Sequence, residues 1–300
     1  MKIFSGTSNK VFAQDLAKHL HLELSPVEIF VFPDLEKRIR IKEKVLGEDC
    51  VVVQSASTPP DEFYMELFIM IDALKRSGAK SVKTFIPYLG YQRQDHIFRD
   101  GEAVSLEVIA EILQKVGMTQ LFTFDLHSPK IPEIFSVPVG HLSALPVFAE
   151  KIKKEFDLDN IVLVSPDMGG IRRIKEVSEM LGNIPFISVE KNRDLATGAI
   201  EDTSISGDVR GKVAIMVDDM ISTGITMVDA ANLLLENGAT SVYCFATHPV
   251  FAKDSDKILQ SSKIERVIVS DTIHVPGYRQ FPKLEVVSVA KVAADALKSL

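Results

Sequence analysis

The sequence predicts an α/β protein with two similar domains, each a mainly parallel sheet flanked by helices. Short apolar segments, typical of buried strands, alternate along the chain with amphipathic helical patterns. Several of these strands end in polar clusters, as strands do at the ligand edge of a parallel sheet. One segment also recurs, because GAKSVKTF at residues 78–85 matches GATSVYCF at residues 238–245. A repeat in matching context indicates two homologous domains.

The elements follow in chain order from this pattern. Strands are predicted at residues 2–4, 50–54, 81–86, 120–124, 161–165, 185–189, 212–217, 241–246 and 266–270. Helical patterns fill the intervals, among them residues 61–77, 105–116 and 226–237. The repeat places the domain boundary after residue 143, which gives domains of 1–143 and 144–300 and allows the last helix to pack back on the first domain.

Composition excludes several classes of protein. The hydrophobic fraction of 46% and charged fraction of 25% are those of a globular chain with a full core. The net charge of −7, without a long basic cluster, argues against a nucleic-acid partner. No signal-like segment or long apolar run is present, so we expect a cytoplasmic protein that does not contact membranes. Cys50 and Cys244 lie in apolar runs and are expected to be core residues rather than a disulfide.

Residues 213–226 are the most informative segment. An apolar strand pattern leads to Asp218 and Asp219, and a Ser-Thr-Gly-Ile-Thr loop then opens a helix. Hydroxyls and helix N-terminal N–H groups suit a phosphate, and Gly224 permits close approach of the backbone. The two acids would repel a phosphate but can accept hydrogen bonds from sugar hydroxyls or hold Mg²⁺. The segment therefore predicts a site for a phosphorylated sugar, although an ordinary strand–turn–helix junction would look similar.

Two further clusters suit a nucleotide. Arg93 follows the strand at 81–86, and its planar guanidinium can grip a phosphate, while Gln94 can bind a purine edge or a sugar. Phe32 places an aromatic ring close to Asp34 and Glu36. Solvated surface residues are the alternative reading of both clusters.

Cation and phosphate chemistry is suggested at three more places. Asp125 and His127 share one side of an extended segment and could hold a cation or a nucleotide phosphate. Asp167, which precedes two glycines, is another candidate metal or sugar ligand. Lys191 and Arg193 follow the strand at 185–189 in an expected polar loop that could close over a polyphosphate. A satisfied structural histidine and a solvated loop are the alternatives.

Taken together, these motifs resemble the ribose-phosphate pyrophosphokinase family over almost the whole chain. The matching segments, in the family's order, are residues 32–36, 91–95, 125–127, 165–170, 191–198 and 217–226. The loop at 213–226 also resembles the phosphoribosyl-pyrophosphate loop of the type I phosphoribosyltransferases. The resemblance implies that fold in both domains and transfer of the β,γ-diphosphoryl group of ATP to the C1 hydroxyl of ribose 5-phosphate. It also implies Mg²⁺ and a homo-oligomer, either a dimer or a multiple of one.

The resemblance assigns roles to individual residues. ATP would be bound in the first domain by Phe32, Asp34, Glu36, Arg93, Gln94 and Asp95. Mg²⁺ would involve His127, Asp167 and Asp125, and the catalytic cations would be Lys191 and Arg193. Ribose 5-phosphate would be bound in the second domain by Asp218, Asp219, Ser222, Thr223, Gly224, Ile225 and Thr226. Leu35, Ser222 and Ile225 depart from the residues that many family members carry at these positions.

Two other functions fit part of the pattern. A phosphoribosyltransferase would use the second-domain loop but leave Arg93, Gln94 and His127 without a role. A non-catalytic, synthase-associated regulatory subunit could bind the same ligands. Loss of the basic pair would favour that subunit, but Lys191 and Arg193 are both present.

Overall fold

The structure, a computed structural model, describes residues 1–193 and 200–299, with the side chains of all of these except residues 191–193 and 200–203. The chain divides into two compact units. Unit 1 comprises Met1–Ser143, Thr272–His274 and Ser288–Leu300. Unit 2 comprises Ala144–Asp271 and Val275–Val287.

Unit 1 is built on a five-stranded parallel sheet in the order β1-β4-β5-β6-β7, and β2 and β3 form an antiparallel hairpin of their own. The strands are β1 (Lys2–Ser5), β2 (Val27–Val31), β3 (Lys37–Ile41), β4 (Asp49–Val53), β5 (Ser81–Phe85), β6 (Gln120–Phe124) and β7 (Val139–Leu142). The helices are α1 (Lys10–His19), α2 (Pro60–Arg76) and α3 (Ser105–Val116).

The core of unit 1 is formed by the apolar stripe of a helix packed on apolar side chains of the sheet. Helix α2 buries Leu67, Met70, Ile71 and Leu74 on one stripe, and these residues belong to the same apolar cluster as β4 and β5 side chains. Burying each such side chain contributes about 1.5–3 kcal/mol relative to exposure. This packing holds the strands of the sheet in position, and the strands in turn position the loops at their carboxyl ends.

Unit 2 has a seven-stranded sheet in the order β10-β9-β8-β11-β12-β13-β14, in which only the β9–β10 pair is antiparallel among the described strands. The strands are β8 (Ile161–Ser165), β9 (Phe186–Arg193), β10 (Ile200–Ile205), β11 (Val213–Ile221), β12 (Ser241–Pro249), β13 (Arg266–Ser270) and β14 (Leu284–Val287). The helices are α4 (Leu145–Glu155), α5 (Ile171–Met180), α6 (Ile225–Glu236) and α7 (Ser255–Ser261).

Three expected strand ends were wrong, and two of them lie next to candidate site residues. The strand expected to stop at residue 246 continues to Pro249. The strand expected to stop at residue 217 continues to Ile221, because Asp218 is opposite Ala246 of β12 and the ladder runs on beyond it. The polar segment expected as a loop after residue 189 is still strand, since β9 pairs with β10 as far as Arg193.

The repeat found in the sequence is a repeat of structure. Gly78 follows α2 and Gly238 follows α6, and both have positive φ angles, +84° and +95°. The carbonyl of Gly78 accepts a hydrogen bond from the Gly47 N–H at 2.8 Å, and that of Gly238 accepts one from the Gly211 N–H at 2.9 Å. Each turn then enters a parallel strand, so the two units contain the same helix–turn–strand unit.

Three remaining expectations concern the last helix, the cysteines and membranes. Helix α8 (Ala290–Lys298) belongs to unit 1 and packs against α1 and β7. Both cysteines are buried in strands, where burial raises the pKa of Cys50 to about 11 and that of Cys244 further still. These thiols are therefore neutral packing groups. In the part of the chain that the structure describes, no helix has both the length and the apolarity needed to cross a bilayer.

Candidate active site

Two adjacent acids lie near the carboxyl end of β11. Asp219 is only 3% exposed and Asp218 is half-buried. The Asp219 N–H donates to Asp218 Oδ1 at 2.9 Å, which orients the first carboxylate. Two carboxylates this close together and this poorly hydrated require a counter-charge.

Arg173, in the first turn of α5, supplies that counter-charge. Its Nη1 donates to Asp218 Oδ1 at 2.6 Å, and its Nη2 lies 3.4 Å from Asp219 Oδ1. Burial raises the pKa of Asp218 well above its ordinary value, the Asp219 charge adds to the rise, and Arg173 opposes it. The β11 acids therefore form a concentrated negative centre that one guanidinium holds in place.

Asp167 lies at the carboxyl end of the neighbouring strand, β8. Its Oδ1 accepts hydrogen bonds from the N–H groups of Gly169 and Gly170, at 2.9 and 3.3 Å. A Cβ atom at Gly170 would lie 2.5 Å from the Ser165 hydroxyl, so a side chain there would have to displace that hydroxyl. Because β8 and β11 are adjacent, the Asp167 carboxylate lies near enough to raise the pKa of Asp218.

The loop after β11 leads into the N-terminus of α6. Gly224 is buried, has a φ of +81° and precedes the first helical residue, Ile225. Ser222 and Thr223 are half-buried, whereas Ile225 and Thr226 are exposed. The structure thus places all the predicted phosphosugar residues at one strand end.

The N-terminus of α6 suits an anion. Among the side chains that the structure describes, none caps it, and its first turn contains no acidic residue. The Val228 N–H bonds to the Gly224 carbonyl at 3.0 Å, and the N–H groups before it have no acceptor within the helix. Such N–H groups, at the positive end of a helix dipole, are donors for a phosphate.

In unit 1 the structure joins two of the predicted clusters. Arg93, Gln94 and Asp95 follow β5, and Asp125 and His127 follow the adjacent strand β6. Arg93, Gln94 and His127 are exposed, whereas Asp125 is buried and accepts a hydrogen bond from a serine hydroxyl at 2.7 Å.

The side chain of Gln92 connects these loops. It is fully buried, and its Oε1 accepts a hydrogen bond from the His127 N–H at 2.9 Å. Its Nε2 is buried without a partner among the described residues. The buried Gln92 amide therefore links the loop after β5 to the loop after β6.

Phe32, Asp34 and Glu36 lie in the turn between β2 and β3, and all three are exposed. The turn is held by its own hydrogen bonds, since the Phe32 N–H donates to the Glu36 carbonyl at 2.8 Å and the Glu36 N–H donates to Asp34 Oδ1 at 3.2 Å. None of these bonds links the turn to the loop of Arg93. The ring of Phe32 and the carboxylates of Asp34 and Glu36 are therefore accessible at the surface of unit 1.

The catalytic cations predicted from the sequence are not tested by this geometry. The side chains of Lys191 and Arg193 lie outside the described part of the structure. Their roles stay predictions.

The carboxylates present fit Mg²⁺. Among the described residues, no three His, Cys, Asp or Glu side chains cluster as a metal site. Mg²⁺ is usually held by one or two carboxylates together with waters and substrate phosphates, rather than by a protein cage. Asp167 and the β11 acids provide such hard oxygen donors in unit 2, and Asp125 and His127 provide further donors in unit 1.

Comparison with known proteins decides the family. A family model described as the N-terminal domain of ribose phosphate pyrophosphokinase matches residues 1–117, and one described as a phosphoribosyl synthetase-associated domain matches residues 187–300. Ribose-phosphate pyrophosphokinases of Caldanaerobacter subterraneus and Bacillus cereus are 39% and 38% identical over 297 residues, which is 99% of this chain and 93% of each relative. The chain belongs to the ribose-phosphate pyrophosphokinase family.

The fold agrees with that membership. The crystal structure of phosphoribosylpyrophosphate synthetase from Mycobacterium smegmatis superposes with a TM-score of 0.94 at 33% identity, covering 99% of this chain and 97% of that one. Both units therefore have the type I phosphoribosyltransferase fold expected from the sequence. The family's activity, ribose-phosphate pyrophosphokinase, is the transferase activity that full-length homology supports for this chain.

Sequence reasoning missed two site residues. Arg173 lies on the helix after the double glycine, but nothing in the sequence pairs it with an acid 45 residues later. Gln92 stands beside Arg93 in the sequence, and a glutamine in a loop is usually solvated, so its burial was not expected. Its position between an expected strand end and a charged cluster was the one available signal.

Proposed function

We propose that this chain transfers the β,γ-diphosphoryl group of ATP to the C1 hydroxyl of ribose 5-phosphate, giving phosphoribosyl pyrophosphate and AMP. The observation that carries this proposal is the junction of β11 and α6. A carboxylate pair and an uncapped helix N-terminus lie at the same strand end there. Such a junction suits a ligand with hydroxyls at one end and a phosphate at the other.

The acids and the helix have different roles. Asp218 and Asp219 accept hydrogen bonds from the ribose hydroxyls, and Arg173 keeps both carboxylates in position. Ser222, Thr223 and the N–H groups at the start of α6 bind the 5-phosphate, together with Thr226. Gly224 and Ile225 contribute their backbone where the loop comes closest to the 5-phosphate.

The equivalent junction in unit 1 is unfavourable for an anion. This difference supports the assignment of ribose 5-phosphate to unit 2 rather than to unit 1. After β4, neutral Gln54 and Ser55 stand where β11 carries its acids, and both are buried. Helix α2 begins at Pro60, and its first turn contains Asp61 and Glu62. A proline lacks an N–H group, and two acids repel a phosphate at a helix N-terminus.

Unit 1 is therefore proposed to present the nucleotide. Arg93 binds the ATP phosphates and Gln94 the purine or ribose, with Asp95 beside them. Phe32 stacks on the base, and Asp34 and Glu36 bind its polar edge. The family resemblance also supports a homo-oligomer, which is a dimer or a multiple of it.

The reaction requires positioning and charge stabilisation rather than a protein nucleophile. The C1 hydroxyl oxygen forms a bond to the β-phosphorus and loses its proton, and the bridging bond from that phosphorus to the α-phosphate oxygen breaks. AMP leaves with the electron pair. Asp167 in unit 2, and Asp125 and His127 in unit 1, would each offer donors to Mg²⁺ together with substrate phosphates, and the bound ion would neutralise phosphate charge. Lys191 and Arg193 stabilise the charge that develops on the transferred group.

The nucleotide released tests this proposal. Purified protein with Mg²⁺, ATP and ribose 5-phosphate is expected to form AMP, quantified by anion-exchange chromatography. The substitution Lys191→Ala should lower kcat by about 10²–10³, the effect of removing one transition-state donor. Lys153→Ala, at an exposed position on α4, is the matched control and should turn over at the wild-type rate.

Other outcomes separate the alternatives. Release of ADP would show an ordinary kinase, and absence of nucleotide turnover would favour a regulatory subunit. A nucleobase-dependent release of diphosphate from phosphoribosyl pyrophosphate would instead indicate a phosphoribosyltransferase. An unchanged kcat in Lys191→Ala would remove the role given to that lysine.

A further inference from the structure

A buried ion pair ties the β2–β3 hairpin to the body of unit 1. Lys37, the first residue of β3, places its Nζ 2.8 Å from Glu66 Oε2 on α2, and the same Nζ lies 3.0 Å from Oε1 of the exposed Glu62 on that helix. The Lys37 side chain is 6% exposed and that of Glu66 is 0% exposed. Burying two charges costs solvation energy that their attraction repays only in good geometry. The pair is therefore better explained by the conformation it specifies than by stability alone.

The carboxylate of Glu66 is fully satisfied. Its oxygens accept hydrogen bonds from the Thr7 N–H at 2.7 Å, from the Thr7 hydroxyl at 2.8 and 2.9 Å, and from Gln54 Nε2 at 2.8 Å. Gln54 in turn accepts hydrogen bonds from Ser8. Glu66 is thus held rigidly by the loops after β1 and β4, and Lys37 brings the hairpin onto this fixed point.

The ion pair lies at the tip of the hairpin rather than at its base. Lys37 is opposite Val31, the last residue of β2, and both adjoin the turn at residues 32–36. The base is held differently, because Val27, Ile39 and Ile41 pack against the apolar core of unit 1. A two-stranded hairpin is marginally stable by itself. The base packing would therefore keep the hairpin attached, while the Lys37–Glu66 pair sets the direction of its tip.

We propose that Lys37 and Glu66 are positioning residues for ATP. They act by orienting the turn that carries Phe32, Asp34 and Glu36. This inference rests on the proposed function, which assigns that turn to the nucleotide. Neither residue touches the reacting atoms, so their effect is on nucleotide recognition rather than on the chemical step.

The double variant Lys37→Met, Glu66→Gln tests the proposal. Replacing only Lys37 would leave the buried Glu66 carboxylate without a counter-charge, whereas the double variant removes both buried charges with side chains of similar size. Glu62, whose side chain is 53% exposed, then keeps its charge in contact with water. We expect a folded protein whose KM for ATP rises about tenfold, because a small misplacement of binding groups weakens a site. The KM for ribose 5-phosphate should stay within twofold, since unit 2 is untouched.

A matched control lies on the same hairpin. Lys42 is 2.9 Å from Glu28, and both side chains are substantially exposed, at 43% and 38%. Exposed pairs of this kind contribute little. The substitution Lys42→Met should therefore leave the KM for ATP at the wild-type value. Hydrogen exchange of the amides in residues 27–41 should quicken in the double variant alone, most of all next to the turn.

Three results would overturn the inference. The first is a folded double variant with the wild-type KM for ATP, and the second is an equal rise in both KM values, which would indicate only a structural role. If the wild-type protein binds ATP without forming AMP, the proposed reaction fails instead. The dissociation constant for ATP, measured by calorimetry, then replaces KM in the same comparison, and an unchanged constant is the third contradictory result.

Discussion

Arg173 sets how much negative charge the β11 acids can carry, because its guanidinium contacts both Asp218 and Asp219. Burial nonetheless raises the pKa of Asp218 well above its ordinary value, with Asp219 adding to the rise and Arg173 opposing it. Holding Asp218 ionised therefore costs folding free energy near neutral pH. Such a cost is common where a site is organised for a ligand rather than for stability.

The substitution Asp218→Asn should stabilise the free protein. A folded-state pKa above the unfolded value means that stability present at low pH is lost as the pH rises through the folded value. The neutral amide removes this loss and can still accept the Arg173 hydrogen bond. We expect a Tm at pH 7 higher by about 3 °C, the shift that about 1 kcal/mol produces in a domain of this size. Scanning calorimetry between pH 4 and pH 7 provides the measurement.

The pH dependence is the control for this prediction. The difference in Tm should shrink towards pH 4, close to the ordinary pKa of about 3.9 for an aspartate, where the wild-type carboxyl is neutral too. The variant should also bind ribose 5-phosphate more weakly. A difference that is constant with pH would show that packing, not charge, separates the two proteins.

At the scale of elements, the N-terminus of α6 depends on the backbone of Gly224. Its φ of +81° is unfavourable for any residue with a Cβ, and a Cβ there would lie 3.1 Å from Leu259 Cγ on α7. Leu259 is fully buried and cannot move away freely. The start of the helix is therefore fixed by a contact between two helices of unit 2.

We expect Gly224→Ala to lower stability and to weaken ribose 5-phosphate binding. The left-handed backbone costs an alanine about 1–2 kcal/mol, and the contact with Leu259 adds displacement of the helix start. Gly211→Ala is the matched control, because Gly211 has a φ of +72° and a Cβ there would meet no atom of the described residues within 4 Å. Both variants should have a lower Tm than the wild-type protein, but only Gly224→Ala should raise the KM for ribose 5-phosphate. Equal KM values in the two variants would contradict the role of the helix start.

At the scale of the molecule, the duplicated fold was accessible from sequence because buried parallel strands give unbroken apolar runs. The strands that escaped prediction lie at edges or outside the main sheets. The β3 segment Lys-Arg-Ile-Arg-Ile alternates charge with isoleucine, since only one face of the hairpin packs on unit 1. Strand β14 is an edge strand whose side chains are only half-buried or exposed.

The site was accessible in part, for a related physical reason. Acids, glycines and hydroxyls next to one strand end are close in sequence, so the loop at residues 218–226 could be recognised directly. Pairing between distant elements could not be, and Arg173 with Asp218 is the clearest example. The Lys37–Glu66 pair was hidden in the same way, since hairpin and helix carry the two residues 29 positions apart in the sequence.

In the proposed reaction a diphosphoryl group moves intact from ATP to the sugar C1 oxygen. Phosphorus-31 NMR of the complete reaction, with Mg²⁺ and equimolar ATP and ribose 5-phosphate, tests it most directly. We expect the ATP resonances to be replaced in equal amounts by AMP and by two coupled phosphorus signals of a diphosphate bonded to C1. Coupled ADP signals together with a single new sugar phosphomonoester would contradict it.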